Sequence, residues 1–177
     1  MTWLYRALIT LCLGMVLGLL LAIGAIVHSG AQTSPGADRA AQSGTSSRAV
    51  TYVRNVNAAL QRYDIARREG DRLLTERDAN PRLAENAAWR QSFESVVQEH
   101  QQLQLTVQRF KAPKGAEATQ QCLVDGLRLT ALGEGLLFDA FGADGHHAYF
   151  LSAHGNWDLN LGVRAIARCR VSLASLS

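Results

Sequence analysis

Two cysteines constrain this chain more than any other feature. The midpoint of Cys122 and Cys169 falls within about a residue of Asp144-Gly145. The flanking sequence is helical in pattern on both sides. A hairpin of two antiparallel helices turning at Asp144-Gly145 brings the cysteines to one height, where an oxidising compartment joins them. Gly126, Leu129, Gly133 and Leu136 extend the Cys122 stripe, and Gly155, Leu159, Gly162 and Ile166 extend the Cys169 stripe. Small residues on both stripes permit the close backbone approach that a disulfide requires.

That turn also accounts for the adjacent histidines His146 and His147. Gly142 is expected to end the third helix in the left-handed conformation, and Asp144 to cap the fourth. The two histidines then fall in a first helical turn, where a neutral imidazole is favoured. Neighbouring helical residues point about 100° apart, so the pair chelates poorly. No other ligands are spaced to complete a structural zinc site, so no metal is assigned.

Two further helical segments precede the hairpin. Val53, Val56, Leu60, Tyr63, Arg67, Gly70 and Leu74 form the stripe of the first, from about residue 48, with Ser46 or Ser47 as its cap. Asn80-Pro81 reads as cap and first turn of the second. Its stripe is Trp89, Phe93, Val96, His100, Leu103, Val107 and Phe110. The third segment spans about Pro113 to Phe141 and the fourth about His146 to Leu173. Strand-like alternation is absent. The expected fold is all-α, an up-down-up-down four-helix bundle over residues 48–177.

An N-terminal hydrophobic helix precedes it. Residues 7–27 carry no charge, and a helix of that length matches a hydrocarbon core of about 30 Å. Arg6 precedes the run and the next basic side chain is Arg39, which favours an inner N-terminus and an outer C-terminal domain. Such a chain is a single-pass protein of the cytoplasmic membrane. The alternative is a signal peptide cut near Ala31, giving a secreted domain. Cys12 lies inside the run, and Gly14 and Gly18 form a small-residue pair of the kind common in membrane helices. Residues 1–31 are therefore anchor or signal peptide. Residues 32–47, small and polar with one Pro, read as a flexible tether.

Net charge is +3, and basic residues alternate with acids, as in RREGDRLLTERD at 67–78. Such mixing describes a solvated helix face, so no nucleic-acid partner is expected.

Charged interruptions of the apolar stripes suggest a polar layer. The core-facing stripe of the third helix is read as Leu123, Leu127, Thr130, Glu134, Leu137 and Phe141, and that of the fourth as Leu151, His154, Asp158, Leu161 and Ala165. Turns centred near residues 79, 113 and 145 set Glu134, Asp158, Ser92 and Arg67 at one level, with His154 one turn away. Arg67, Glu134, His154 and Asp158 are then either a salt-bridge layer fixing helix register or the lining of a small ligand or metal pocket. His100 reads as a core histidine with one hydrogen bond, and Trp89 and Phe93 as core.

The chain has no C-x-x-C-H, G-x-S-x-G, P-loop or G-x-G-x-x-G. No catalytic residue and no cofactor is assigned. The layout resembles the external helical bundles of bacterial sensors in architecture alone, which carries no function. The expected function is a non-enzymatic, membrane-anchored extracytoplasmic module, structural or binding a protein partner or a second copy of the chain. The alternative is a bundle binding a small ligand or metal through the polar layer.

Overall fold

The computed structural model describes residues 35–176, with side chains from residue 47 onward. The hydrophobic run 7–27, Cys12, the Gly14–Gly18 pair and the cleavage position at Ala31 lie outside the described residues. Met1–Ala41 forms one compact unit and Gln42–Ser177 another. Of the first, only the helical backbone from Pro35 is described.

Among the described residues the chain is all-helical, without strands. Four helices are present: α1 (Pro35–Ala79), α2 (Ala87–Arg109), α3 (Glu117–Ala140) and α4 (Gly145–Ala174), with a 3-10 turn (Pro81–Glu85) before α2. None is long and apolar enough to cross a membrane.

The helix ends differ from expectation in instructive ways. The backbone of α1 is already helical at Pro35, within the segment read as a tether, so Ser46 and Ser47 cap nothing. Pro suits a first helical position, and after Gly36 the run Ala-Asp-Arg-Ala-Ala-Gln at 37–42 is compatible with helix. Asn80 makes no side-chain cap; Asn86 does, its Oδ1 accepting from the Trp89 N–H at 3.0 Å. Pro81 instead opens the 3-10 turn. Asp144 occupies the α4 N-cap through its backbone, its carbonyl accepting from His147 and Ala148, with no side-chain bond. The left-handed glycine at that turn is Gly145 (φ 45°), not Gly142.

Between α2 and α3, Gln120 Nε2 donates to the carbonyls of Val107 and Phe110 at 2.9 and 2.7 Å. These carbonyls lie at and just past the last turn of α2, where helical partners run out, and that of Val107 also accepts from the Phe110 N–H at 3.2 Å. Gly115 (φ 89°) turns the chain, and its N–H donates to Glu117 Oε2.

The stripes of α1 and α2 are inside as expected, except that Arg67, Leu74 and Phe110 are half-buried. A buried Leu, Val or Phe contributes roughly 1.5–3 kcal/mol. An exposed pair one turn apart, such as Arg72 with Glu76, contributes only about 0.3–0.5 kcal/mol. Apolar burial, not the charge pattern of 67–78, therefore holds α1 in place.

α3 and α4 run antiparallel with their backbones almost touching. A Cβ on Gly133 would sit 2.5 Å from the Leu159 nitrogen, and one on Gly162 would sit 2.6 Å from the Thr130 nitrogen. Gly126 and Gly155 are equally crowded. Cys122 and Cys169 are disulfide-bonded with Cα atoms 6.0 Å apart. The inward stripe of α4 is therefore Gly155, Leu159, Gly162, Ile166 and Cys169. The stripe read as core-facing, Leu151, His154, Asp158, Leu161 and Ala165, is rotated outward, with only Ala165 buried. Glycine adds no apolar side chain to a count, yet it decides which face can come closest.

Candidate functional site

The buried interior consists of two apolar clusters. One surrounds the disulfide, with Val56, Leu60, Leu103, Leu123 and Ile166 among its members. The other is aromatic, with Trp89 and Phe93 packed by Phe138 and Phe141. Between the clusters every helix contributes a polar or glycine position: Arg67 and Gly70 on α1, His100 on α2, Thr130 and Glu134 on α3, and Gly162 on α4, with Ala66 and Ala131 as small apolar neighbours.

Glu134 is the centre of this layer. Its Oε2 lies 2.6 Å from His100 Nδ1, and both side chains are fully buried. Glu134 Oε1 and His100 Nε2 have no hydrogen-bond partner among the described residues. The Tyr63 ring packs 5.1 Å from the imidazole. Burial pushes the Tyr63 phenol above its ordinary pKa. The Glu134 charge acts with burial, while the nearby Thr130 side chain and the charges of Arg67 and Arg170 act against it.

Arg67 reaches this level from the edge. Its Nη1 and Glu134 Oε1 lie 4.0 and 3.2 Å from the point a Cβ on Gly70 would occupy. The guanidinium also pairs with Asp71 at the surface, so its stem crosses the boundary and its head faces both ways.

Of the four residues expected to form the layer, the fold brings together Arg67 and Glu134. His154 is exposed and packs on Phe150 at 4.2 Å, and Asp158 is half-buried on the outward side of α4. Ser92 is also outside, donating to the Ala88 carbonyl. The position expected for Ser92 is held by His100. Glu134 meets α2 about two helical turns from the expected level, although the connection from Arg109 to Glu117 is centred at residue 113 as expected, so reflection about the turn does not carry this far along the helices. His100 does make the single hydrogen bond expected of it. Its partner was legible in principle, because a buried polar side chain on one stripe demands one on a facing stripe.

Both side chains of the Glu134–His100 pair are closed to solvent, and the contact joins α2 to α3. It fixes which levels of α2 and α3 face each other. Among the described residues no group of three His, Cys, Asp or Glu side chains is placed to hold a metal ion. His146 and His147 are both exposed at the start of α4.

The outward face of α4 is the more accessible feature. Tyr149, Phe150 and Trp157 are 72%, 52% and 67% exposed, with Leu161 continuing the same side. Phe150, Trp157 and Leu161 are seven and four residues apart, so they share one face. Comparison with protein-family models, curated proteins and solved structures finds no match to this chain.

Proposed function

We propose that this chain is a non-enzymatic module displayed outside the cytoplasmic membrane, anchored by residues 7–27, which binds a protein partner through the outward face of α4. In this reading residues 48–177 form an up-down-up-down bundle. Links between its helices support that topology: Arg62 to Glu99, Gln120 to the end of α2, Cys122 to Cys169, and Arg170 to Asp64. The disulfide supports an oxidising location, and the uncharged run supports the anchor.

The observation that carries partner binding is the exposed trio Tyr149, Phe150 and Trp157. Large aromatic side chains clustered on one exposed face mark interaction surfaces and dominate interface energetics. The small-ligand alternative relied on Arg67, Glu134, His154 and Asp158 converging, and two of these face outward.

The test is site-specific photocrosslinking of the full-length chain in its native membrane. A photoreactive amino acid at position 157 is expected to give a discrete crosslinked species, whereas one at exposed position 68 gives none. The mass of the product distinguishes a second copy from another protein. Absence of a crosslink at 157 would reject the surface as an interface.

A further inference from the structure

We propose that a basic groove, formed where residues 47–55 of α1 meet the end of α2 and the α2–α3 loop, binds a phosphate-bearing anion. The groove has a volume of about 920 Å³ and is lined by Arg48 and Tyr52 of α1 together with Arg109, Phe110, Lys111 and Lys114. The remaining lining is neutral, and no Asp or Glu contributes. Further along α1, Arg62, Arg67, Arg72 and Arg77 each hold a carboxylate, whereas Arg54 and Arg68 hold none among the described residues but stand outside any shared groove with other cations. The four groove cations hold none among the described residues. The acid of the loop, Glu117, accepts from the Gly115 N–H and does not line the groove.

Cations at a helix C-terminus often do no more than complement its dipole. That role is weakened here, because Gln120 already serves the carbonyls of Val107, Gln108 and Phe110. Arg48 comes from a different helix altogether. A second observation points the same way. Tyr52 lines the groove, is 3% exposed, and its hydroxyl has no hydrogen-bond partner among the described residues. Buried hydroxyls are normally satisfied, and an orphan one beside uncompensated cations is what an acceptor-only ligand would complete. Two guanidinium groups and two ammonium groups match the several oxygens of a phosphate group. Tyr52 and Phe110 supply an apolar wall.

Phosphate of this kind comes either from a soluble phosphorylated molecule or from an anionic lipid headgroup. The lipid source rests on the membrane-anchor reading; the soluble source does not.

Lys111 and Lys114 are the only lysines in the chain, so amine acylation followed by mass spectrometry reads the groove directly. The full-length chain is compared in zwitterionic detergent with and without inorganic pyrophosphate, against sodium chloride of equal ionic strength. It is also compared in nanodiscs of phosphatidylcholine with and without phosphatidylglycerol. The expected result is slower acylation of both lysines, beyond the salt control, with pyrophosphate for a soluble source or with phosphatidylglycerol for a lipid source. Arg48→Gln and Arg109→Gln should each weaken the protecting anion by roughly tenfold, the effect of losing one charge-assisted hydrogen bond. Tyr52→Phe should weaken it while leaving the charge unchanged. Arg68→Gln, outside the groove, should leave protection intact, and circular dichroism confirms that each variant is folded. Unchanged acylation with both anions, or protection undiminished in folded Arg48→Gln and Arg109→Gln, would overturn the site.

Discussion

Glu134 of α3 meets His100 of α2 with 2.6 Å between Oε2 and Nδ1, and neither side chain is exposed. The pair divides the interior into one apolar cluster around the disulfide and a second, built on Trp89 and Phe93, beyond it. Removing one partner strands the other in a low-dielectric interior, which costs more than the bond itself contributes. Glu134→Ala or His100→Ala should each lower stability by roughly 3 kcal/mol. The double variant His100→Leu, Glu134→Leu should be closer to the wild type than either single one. Urea denaturation of all four proteins measures this, and additive losses would contradict the pairing.

The α3–α4 contact gives opposite outcomes for two neighbouring glycines. A Cβ on Gly133 would lie 2.5 Å from backbone, whereas one on Gly135 would meet nothing within 4 Å. Gly133→Ala must push the helices apart and should cost about 1–3 kcal/mol. Gly135→Ala gains helix propensity and should stabilise by up to about 1 kcal/mol. Thermal melts of the two variants should therefore move in opposite directions.

The disulfide closes a loop with a sequence separation of 47. In the chain-entropy treatment a loop of that length stabilises by about 4 kcal/mol. Replacing Cys122 and Cys169 by Ser should lower the denaturation midpoint accordingly, yet leave helix content unchanged, because the glycine contacts persist. Intact mass after alkylation, with and without prior reduction, should show both thiols modified only after reduction.

Alkaline pH acts through Tyr63. Its folded-state pKa lies above the ordinary value of 10.0 because burial disfavours the phenolate. The unfolded chain releases this proton first, so stability is full below pH ~10 and falls as pH rises through the folded-state value. Burial shifts Tyr52 the same way. Denaturation measured across that range should decline less steeply in Tyr63→Phe than in the wild type, and equal slopes would contradict the shift.

What the sequence determined by itself is periodic or pairwise. The 3-4 spacing from Val53 to Leu74 and from Trp89 to Phe110 fixes which sides of α1 and α2 face inward, because helical pitch is a local property. The midpoint of Cys122 and Cys169, within about a residue of Asp144-Gly145, determines their pairing, because an antiparallel hairpin has one centre. Tertiary structure decided the offsets and the rotation of α4. Periodicity gives each helix its phase but not its axial position against a neighbour, and packing along α2 and α3 set that position, placing Glu134 against His100 instead of Ser92. α4 carries two plausible inward stripes, and a count of apolar side chains prefers Leu151 and Leu161. The buried choice goes to Gly155 and Gly162, because dispersion and disulfide geometry reward the closest backbone approach. The basic groove is likewise a product of folding. Arg48 is far in sequence from Arg109, Lys111 and Lys114, and their charges form one field only because α1 packs beside the loop that carries the other three.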